Sequence, residues 1–262
     1  MTTPAASFAQ SWDRIFSCDG RRIIRALITR PAQDSAPLIG ELKRRNIEVF
    51  LSPMLTITFA RQTVPDLSGK QALLFTSANG VRAFAHLCTE RGLPVFAVGD
   101  RTATAAREEG FSAVQSAGGD VDSLAKLVAR SCTPAGGALL HPAGSATAGD
   151  LSGRLGADGF TVARQILYRA QPATGLSGEI RLALLDSEID IVLFYSPRTA
   201  AIFVKLARAS GLEPACEKLE ILCLSEAVAE AADVIMWRRV MVAAMPTQAA
   251  LLDRFDERMR AS

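Results

Sequence analysis

The chain has 262 residues, 49% hydrophobic and 21% charged, with a formal net charge of only +2. That length and apolar content suit two middle-sized domains, each with its own core, and the near-neutral balance, with no run of Lys/Arg, excludes a basic track for nucleic acid or an anionic membrane. Two histidines, His86 and His141, and five cysteines without CxxC spacing exclude a His-rich metal centre and a disulfide framework, so the cysteines read as the reduced thiols of a cytoplasmic protein.

Residues 1–20 lack the basic and apolar regions of a signal peptide and read as a tail without an assigned role. The segment RIIRALITRP (22–31) predicts a strand ending in a Pro-marked turn. DSAPLIGELKRRN (34–46) predicts a helix, with Leu38, Ile39 and Leu42 at helical spacing, and IEVFLSPML (47–55) a second strand. LTITF (55–59) alternates like a half-exposed strand, and RQTVPDLSG is loop. Strand and helix then alternate: ALLFT with NGVRAFAHLC, PVFAVG with DRTATAAREEG, FSAVQS with DVDSLAKLVARS, and GALLHP with AGDLSGRLGADG. After the strand FTVARQILYRA (160–170) come IDIVLFYS with RTAAIFVKLARAS, EILCLS with EAVAEAAD, and RVMVAA with TQAALLDRFDERM. Such alternation is the signature of parallel sheets covered by helices on both faces, an α/β fold. No apolar run reaches the length of a membrane span.

The pattern also repeats. ALITRPAQ and the elements after it pair with ALLHPAGS and its followers, LLFTSANG with VLFYSPRT, FAVGDRTATAA with LCLSEAVAEAA, and GGDVDSLAKLV with MPTQAALLDRF. Four pairs in one order predict a duplicated four-strand α/β unit. LTITF and ILYRA flank the middle block and alternate like exposed ribbon. They predict two crossings between a discontinuous first domain (21–55 and 172–262) and a second domain (60–166) inserted into it.

Open α/β sheets bind ligands beyond the carboxyl ends of their strands. There the chain places Thr29-Arg30, Ser77-Ala78-Asn79, Gly99-Asp100-Arg101-Thr102, Ser116-Ala117-Gly118-Gly119, His141-Pro142-Ala143-Gly144, Ser196-Pro197-Arg198-Thr199 and Ser225-Glu226. Small residues at helix N-termini leave backbone N–H groups and the positive end of the helix dipole open to anions. Arg30, Arg101 and Arg198 add positive charge at three of the corners. Any one Ser or Thr there is explained as a plain N-cap; several corners facing one cleft point to a polyanion. No GxSxG, HExxH, GxxxxGK[ST] or GxGxxG occurs. His141 reads as a core or rim histidine, and Cys88 and Cys223 as buried within a helix and a strand. Tyr168 lies on a predicted crossing, where it serves equally as a hydrogen-bond donor to a ligand or as packing for a hinge strand.

Seven segments in register (ALITRPAQ, LLFTSANGV, AVGDRTATAAREEGF, LLHPAGS with GDL, LYRA, VLFYSPRTA and LCLSEAVAEA) resemble the bacterial uroporphyrinogen-III synthases, from about Arg25 to Phe255. The resemblance implies two flavodoxin-like domains joined by a two-stranded β-ladder. It further implies dehydration and cyclisation of a linear tetrapyrrole, hydroxymethylbilane, with inversion of the last pyrrole ring, without metal or cofactor; nothing in the sequence demands a dimer, and a monomer is expected. Carried over by position, it makes Tyr168 the residue that assists departure of the hydroxyl. It makes Arg30, Thr76, Ser77 and Ser196 matches to family corners and Thr102 the threonine of its GxxTA segment. With the other corner residues, the candidate substrate-binding set is Arg30, Thr76, Ser77, Ala78, Asn79, Gly99, Arg101, Thr102, Gly144, Ser196, Pro197, Arg198, Thr199 and Ser225. Two positions depart from the pattern. The second GxxTA-like site reads Ser225-Glu226-Ala227-Val228-Ala229, without threonine, and His141 stands where some relatives carry Arg. The rival reading is a non-catalytic two-domain protein that binds a small polyanion.

Overall fold

The computed structural model describes residues 23–60, 64–146 and 149–260, so the tail at 1–20, with Cys18, lies outside the described residues. In chain order the elements begin with β1 (Ile24–Ile28), α1 (Ala36–Arg44), β2 (Ile47–Leu51) and β3 (Leu55–Phe59). They continue with β4 (Lys70–Phe75), α2 (Ala78–Leu87), β5 (Val95–Ala97), α3 (Asp100–Glu108), β6 (Val114–Ser116), α4 (Val121–Ser131), β7 (Ala138–Gly144), α5 (Leu151–Ala157) and β8 (Val162–Pro172). The last stretch holds α6 (Gly178–Leu185), β9 (Ile191–Phe194), α7 (Pro197–Ala209), α8 (Glu213–Cys216), β10 (Glu220–Cys223), α9 (Glu226–Ala232), β11 (Arg239–Val242) and α10 (Gln248–Arg260). The strand-helix alternation expected from the sequence is present, with α6 and α8 as two further helices.

Two compact units result. One holds the described residues up to Thr56 and those from Pro172 onward; the other is Ile57–Gln171. The first unit has a five-stranded sheet in the order β11-β10-β9-β1-β2, parallel throughout. The second has six strands in the order β3-β8-β7-β4-β5-β6, with β8 through β6 parallel. Set aside β3, and the two sheets share one order of corresponding strands, so the repeat seen in the sequence comprises five strands rather than four. β3 runs antiparallel to β8, because Ala60 N–H donates to Leu167 O and Ala173 N–H donates to Met54 O, pairing ascending residues with descending ones. The two strands that carry the chain between the units are thus each other's neighbours.

Central strands show why both faces must be covered. In β9, Val192 and Phe194 enter one apolar cluster while Ile191 and Leu193 enter another; in β4, Leu73 and Phe75 take one side and Ala72 and Leu74 the other. All eight are buried, as expected for parallel strands sandwiched between helices. The edge ribbon β3 instead alternates half-buried and exposed residues. Close packing fixes where α2 begins relative to β7: a Cβ at Gly80 would sit 2.7 Å from the Pro142 carbonyl oxygen.

Candidate functional site

In each sheet the strand order reverses once, between β1 and β9 in the first unit and between β7 and β4 in the second. Crevices at such topological switch points, at the carboxyl ends of the strands, are where this architecture receives ligands. In the second unit β4 runs directly into Thr76 and Ser77. Ser77 is the N-cap of α2, in extended conformation, and its Oγ accepts from the Gly80 N–H at 3.1 Å. The first turn of α2 carries no acidic residue, so the dipole end remains favourable to anions.

Tyr168 reaches this corner through a break in register. β7 pairs with β8 as Ala143 with Ile166, but then as Gly144 with Tyr168, one residue having been added to β8. Ala163 and Leu167 pack on the cluster that contains Val81 and Phe84 of α2, and strict alternation would send the next residue to the opposite face. Tyr168 packs on that same cluster instead. The bulge re-aims it. Its ring then lies against Gly144, where a Cβ would come within 2.7 Å of Tyr168 Cζ, so any larger residue there must displace the ring. The phenol oxygen is 2.8 Å from Ser77 Oγ. Two further bonds fix the approach: Ser145 N–H donates to Tyr168 O at 3.0 Å, and Arg164 Nη2 donates to Gly144 O at 2.6 Å.

His141, on β7, is buried, and its Nε2 is 3.1 Å from Thr76 Oγ1. Among the described residues its Nδ1 has no partner. Burial first, and the Arg164 charge second, push its pKa from 6.5 down to about 4, so the ring is neutral at pH 7. An unsatisfied buried N–H costs more than an unsatisfied ring acceptor, which places the single proton on Nε2, donated to Thr76.

The first unit's switch point is built differently. Arg30 is buried, with its Cζ 4.4 Å from the centroid of the Tyr195 ring and its Nη1 donating to Gln248 Oε1 at 3.1 Å. Thr29, fully buried, donates from Oγ1 to Leu193 O at 2.8 Å. Ser196 is the N-cap of α7: its Oγ accepts from Thr199 N–H at 3.2 Å, while Thr199 Oγ1 donates to Ser196 O at 3.0 Å. Pro197 and Arg198 are exposed, and α7 also has no acid in its first turn.

The remaining corners are poorer anion sites. Gly99 opens α3 without a side-chain cap, but Asp100 occupies the first turn; Arg101 is exposed and Thr102 is buried. Ser225 opens α9 without a side-chain bond, and the exposed Glu226 follows it. Ala78 is buried and can offer only its backbone, while Asn79 Oδ1 accepts from Arg82 Nη1 at 3.3 Å. Gly144 serves the tyrosine ring, as described above. Cys88 is half-buried and ends α2 rather than lying within it. Cys223 is buried as expected, and burial pushes its thiol up to about 12, as it does that of Cys216. No group of three or more His, Cys, Asp or Glu that could hold a metal ion occurs among the described residues.

The structure thus joins Thr76, Ser77, Gly144 and Tyr168 in one cluster of the second unit. Sequence reasoning does not assign roles to His141, Arg164 or Tyr195. The available hints are that His141 is one of two histidines, sits at a strand's carboxyl end and stands where some relatives of the family carry Arg.

The model of the uroporphyrinogen-III synthase HemD family matches residues 36–253. No curated protein matches the chain. Among solved structures, a mutant uroporphyrinogen III synthase from the extremely thermophilic bacterium Thermus thermophilus aligns at 18% identity with TM-score 0.54, over 91% of this chain and 100% of that one. Uroporphyrinogen-III synthetase from Helicobacter pylori aligns at 13% identity with TM-score 0.61, over 90% of this chain and 99% of that one. At those identities the structural likeness establishes the fold, and the family match carries the rest. No helix among the described residues is long and apolar enough to cross a membrane.

Proposed function

The chain belongs to the uroporphyrinogen-III synthase family, and from that premise we propose what each of its switch points contributes to the reaction. The activity is that of a cyclising lyase in tetrapyrrole biosynthesis. Linear hydroxymethylbilane loses water and closes to uroporphyrinogen III, with the last pyrrole ring inverted. Family membership does not favour the rival reading of a non-catalytic binder.

Tyr168 is the catalytic residue, and the observation that carries this is its placement by a strand bulge against Gly144, with the phenol 2.8 Å from Ser77 Oγ. A half-buried phenol can give its proton to the departing hydroxyl and so assist cleavage of the carbon–oxygen bond. The N-termini of α2 and α7, free of acids in their first turns, receive substrate carboxylates through backbone N–H groups, with Asn79, Pro197 and Arg198 at their rims. Arg30 contributes a fixed positive charge to the first unit's corner. Gly99, Arg101, Thr102 and Ser225 belong to weaker corners that shape the site more than they hold charge. Most of the acceleration is then orientation of a flexible chain so that its two ends meet. The protein works as a cytoplasmic monomer without nucleic acid, in keeping with its near-zero net charge.

Purified protein added to enzymatically made hydroxymethylbilane should yield isomer III, resolved from the spontaneous isomer I by chromatography after oxidation. Tyr168→Phe should lower kcat by about 100-fold while leaving isomer III as the enzymatic product. An unchanged rate in that variant removes Tyr168 from the chemistry; isomer I alone at stoichiometric wild-type protein removes the activity.

A further inference from the structure

We propose that Ser77 is a positioning residue that donates its hydroxyl proton to the Tyr168 oxygen, freeing the phenol's own proton for the substrate; the inference rests on Tyr168 being catalytic. The 2.8 Å contact between the two hydroxyls allows either direction, but the surroundings choose one. Ser77 Oγ already accepts from the Gly80 N–H in the first turn of α2. Among the described residues, the phenol oxygen is the one protein group bonded to Ser77 Oγ that can accept its proton. Were Tyr168 the donor, the serine oxygen would take two donors and the proton of the half-buried Ser77 would turn to solvent, breaking the chain at the serine. With Ser77 donating, each hydroxyl proton has one direction: Ser77 to Tyr168, and Tyr168 outward.

The chain of bonds is therefore directional, from the Gly80 N–H through Ser77 O–H to the Tyr168 oxygen. Acceptance of the helix N–H polarises the serine hydroxyl and makes it a better donor, and chained hydrogen bonds reinforce one another in this way. In the dehydration step the Tyr168 O–H bond breaks and its proton passes to the leaving hydroxyl of the bilane. The carbon–oxygen bond breaks with its electron pair going to oxygen, water departs, and the positive charge remains on the conjugated pyrrole chain. The phenolate left behind is held by the Ser77 hydroxyl, a donor already aimed at the place where negative charge develops. The proton shed when the newly bonded pyrrole carbon regains aromaticity restores the phenol, so protons balance over the cycle. His141 supports the same corner at one remove, through Thr76, the residue before Ser77.

Ser77→Gly tests the proposal, because glycine is nearly as good an N-cap as serine yet has no hydroxyl. It should lower kcat about tenfold, the worth of one hydrogen bond to a developing charge, with KM within about twofold. Ser77→Thr, which keeps the hydroxyl, should restore most of the rate. In a Tyr168→Phe background Ser77→Gly should have no further effect, since no phenol oxygen remains to receive the proton. Equal losses from Ser77→Gly in both backgrounds, or wild-type kcat in Ser77→Gly, overturn the proposal while leaving Tyr168 in place. Full activity in Tyr168→Phe alone overturns the reading beneath it.

Discussion

The two switch points occupy corresponding places in two sheets of the same strand order, yet they are equipped with different chemistry. Leu27 pairs with Val192 as Leu140 pairs with Leu73, so the residues that follow, Ile28 and His141, correspond in the repeat. The first is an isoleucine packed in an apolar cluster, the second a buried neutral histidine bonded to Thr76. The first unit places the Arg30 guanidinium over an aromatic ring supplied by the residue after β9, Tyr195. The second unit has Ala143 at the position of Arg30 and brings its aromatic, Tyr168, from the neighbouring strand β8, hydroxyl first. Its Arg164 is bonded to the Gly144 carbonyl. On the proposed reading, a few side chains make one of two scaffolds of equal strand order a holder of negative charge and the other a source of a proton. A corner whose histidine stays neutral suits proton donation, because a further cation beside the phenol would compete with the positive charge that dehydration creates on the bilane.

The neutrality of that histidine can be broken most visibly by acid. His141 is kept well below its usual pKa in the folded protein, so between pH 6.5 and about 4 the unfolded chain binds a proton that the folded one does not. Stability from this site is therefore unaffected above pH 6.5 and falls as the pH drops through that window, by about 3 kcal/mol at pH 4. Urea unfolding of wild type and His141→Gln should diverge by that amount from near-parallel behaviour at pH 7; identical acid limbs would show that the histidine is charged or exposed. Next in size is Gly144→Ala, which must displace the Tyr168 ring and should cut kcat about 100-fold with little change in KM. The matched control, Gly40→Ala in α1, meets no atom within 4 Å and should stabilise the fold by up to about 1 kcal/mol at full activity. A Gly144→Ala variant of wild-type rate would mean that the ring's position is immaterial. The smallest effect tests the other corner: Arg30→Gln should raise KM about tenfold, with kcat within about threefold. Loss in kcat with KM intact would dissolve the division between holder and donor.

Much of this is legible in the chain. The strand runs around Val192 and Leu73 are continuous and apolar, which only a doubly covered parallel strand requires, and the crossing strands alternate as ribbons do. The helix α6 escapes a sequence reading, because Leu182 and Leu185 remain exposed while Ile180 and Leu184 are buried, and leucines on both sides erase the periodic signal. α8 is a single turn and leaves no period at all. At the site, Ser77, Gly144 and Tyr168 are each visible as candidates, but not that they touch. Their meeting depends on a bulge in β8 between Ile166 and Tyr168 that no residue type announces. The histidine reads as packing, since a sequence cannot say that Thr76 stands 3.1 Å from its ring.

That bulge makes arithmetic part of the chemistry. Leu167 and Tyr168 are consecutive and yet share a face, so the tyrosine is defined by how many residues precede it in β8 as much as by what it is. Exchanging side chains along the exposed positions of the strand leaves this count intact. Inserting or deleting one residue does not, even though every side chain proposed for the reaction would still be written in the gene. Anyone moving this site to another scaffold has to transplant an extra residue together with a tyrosine.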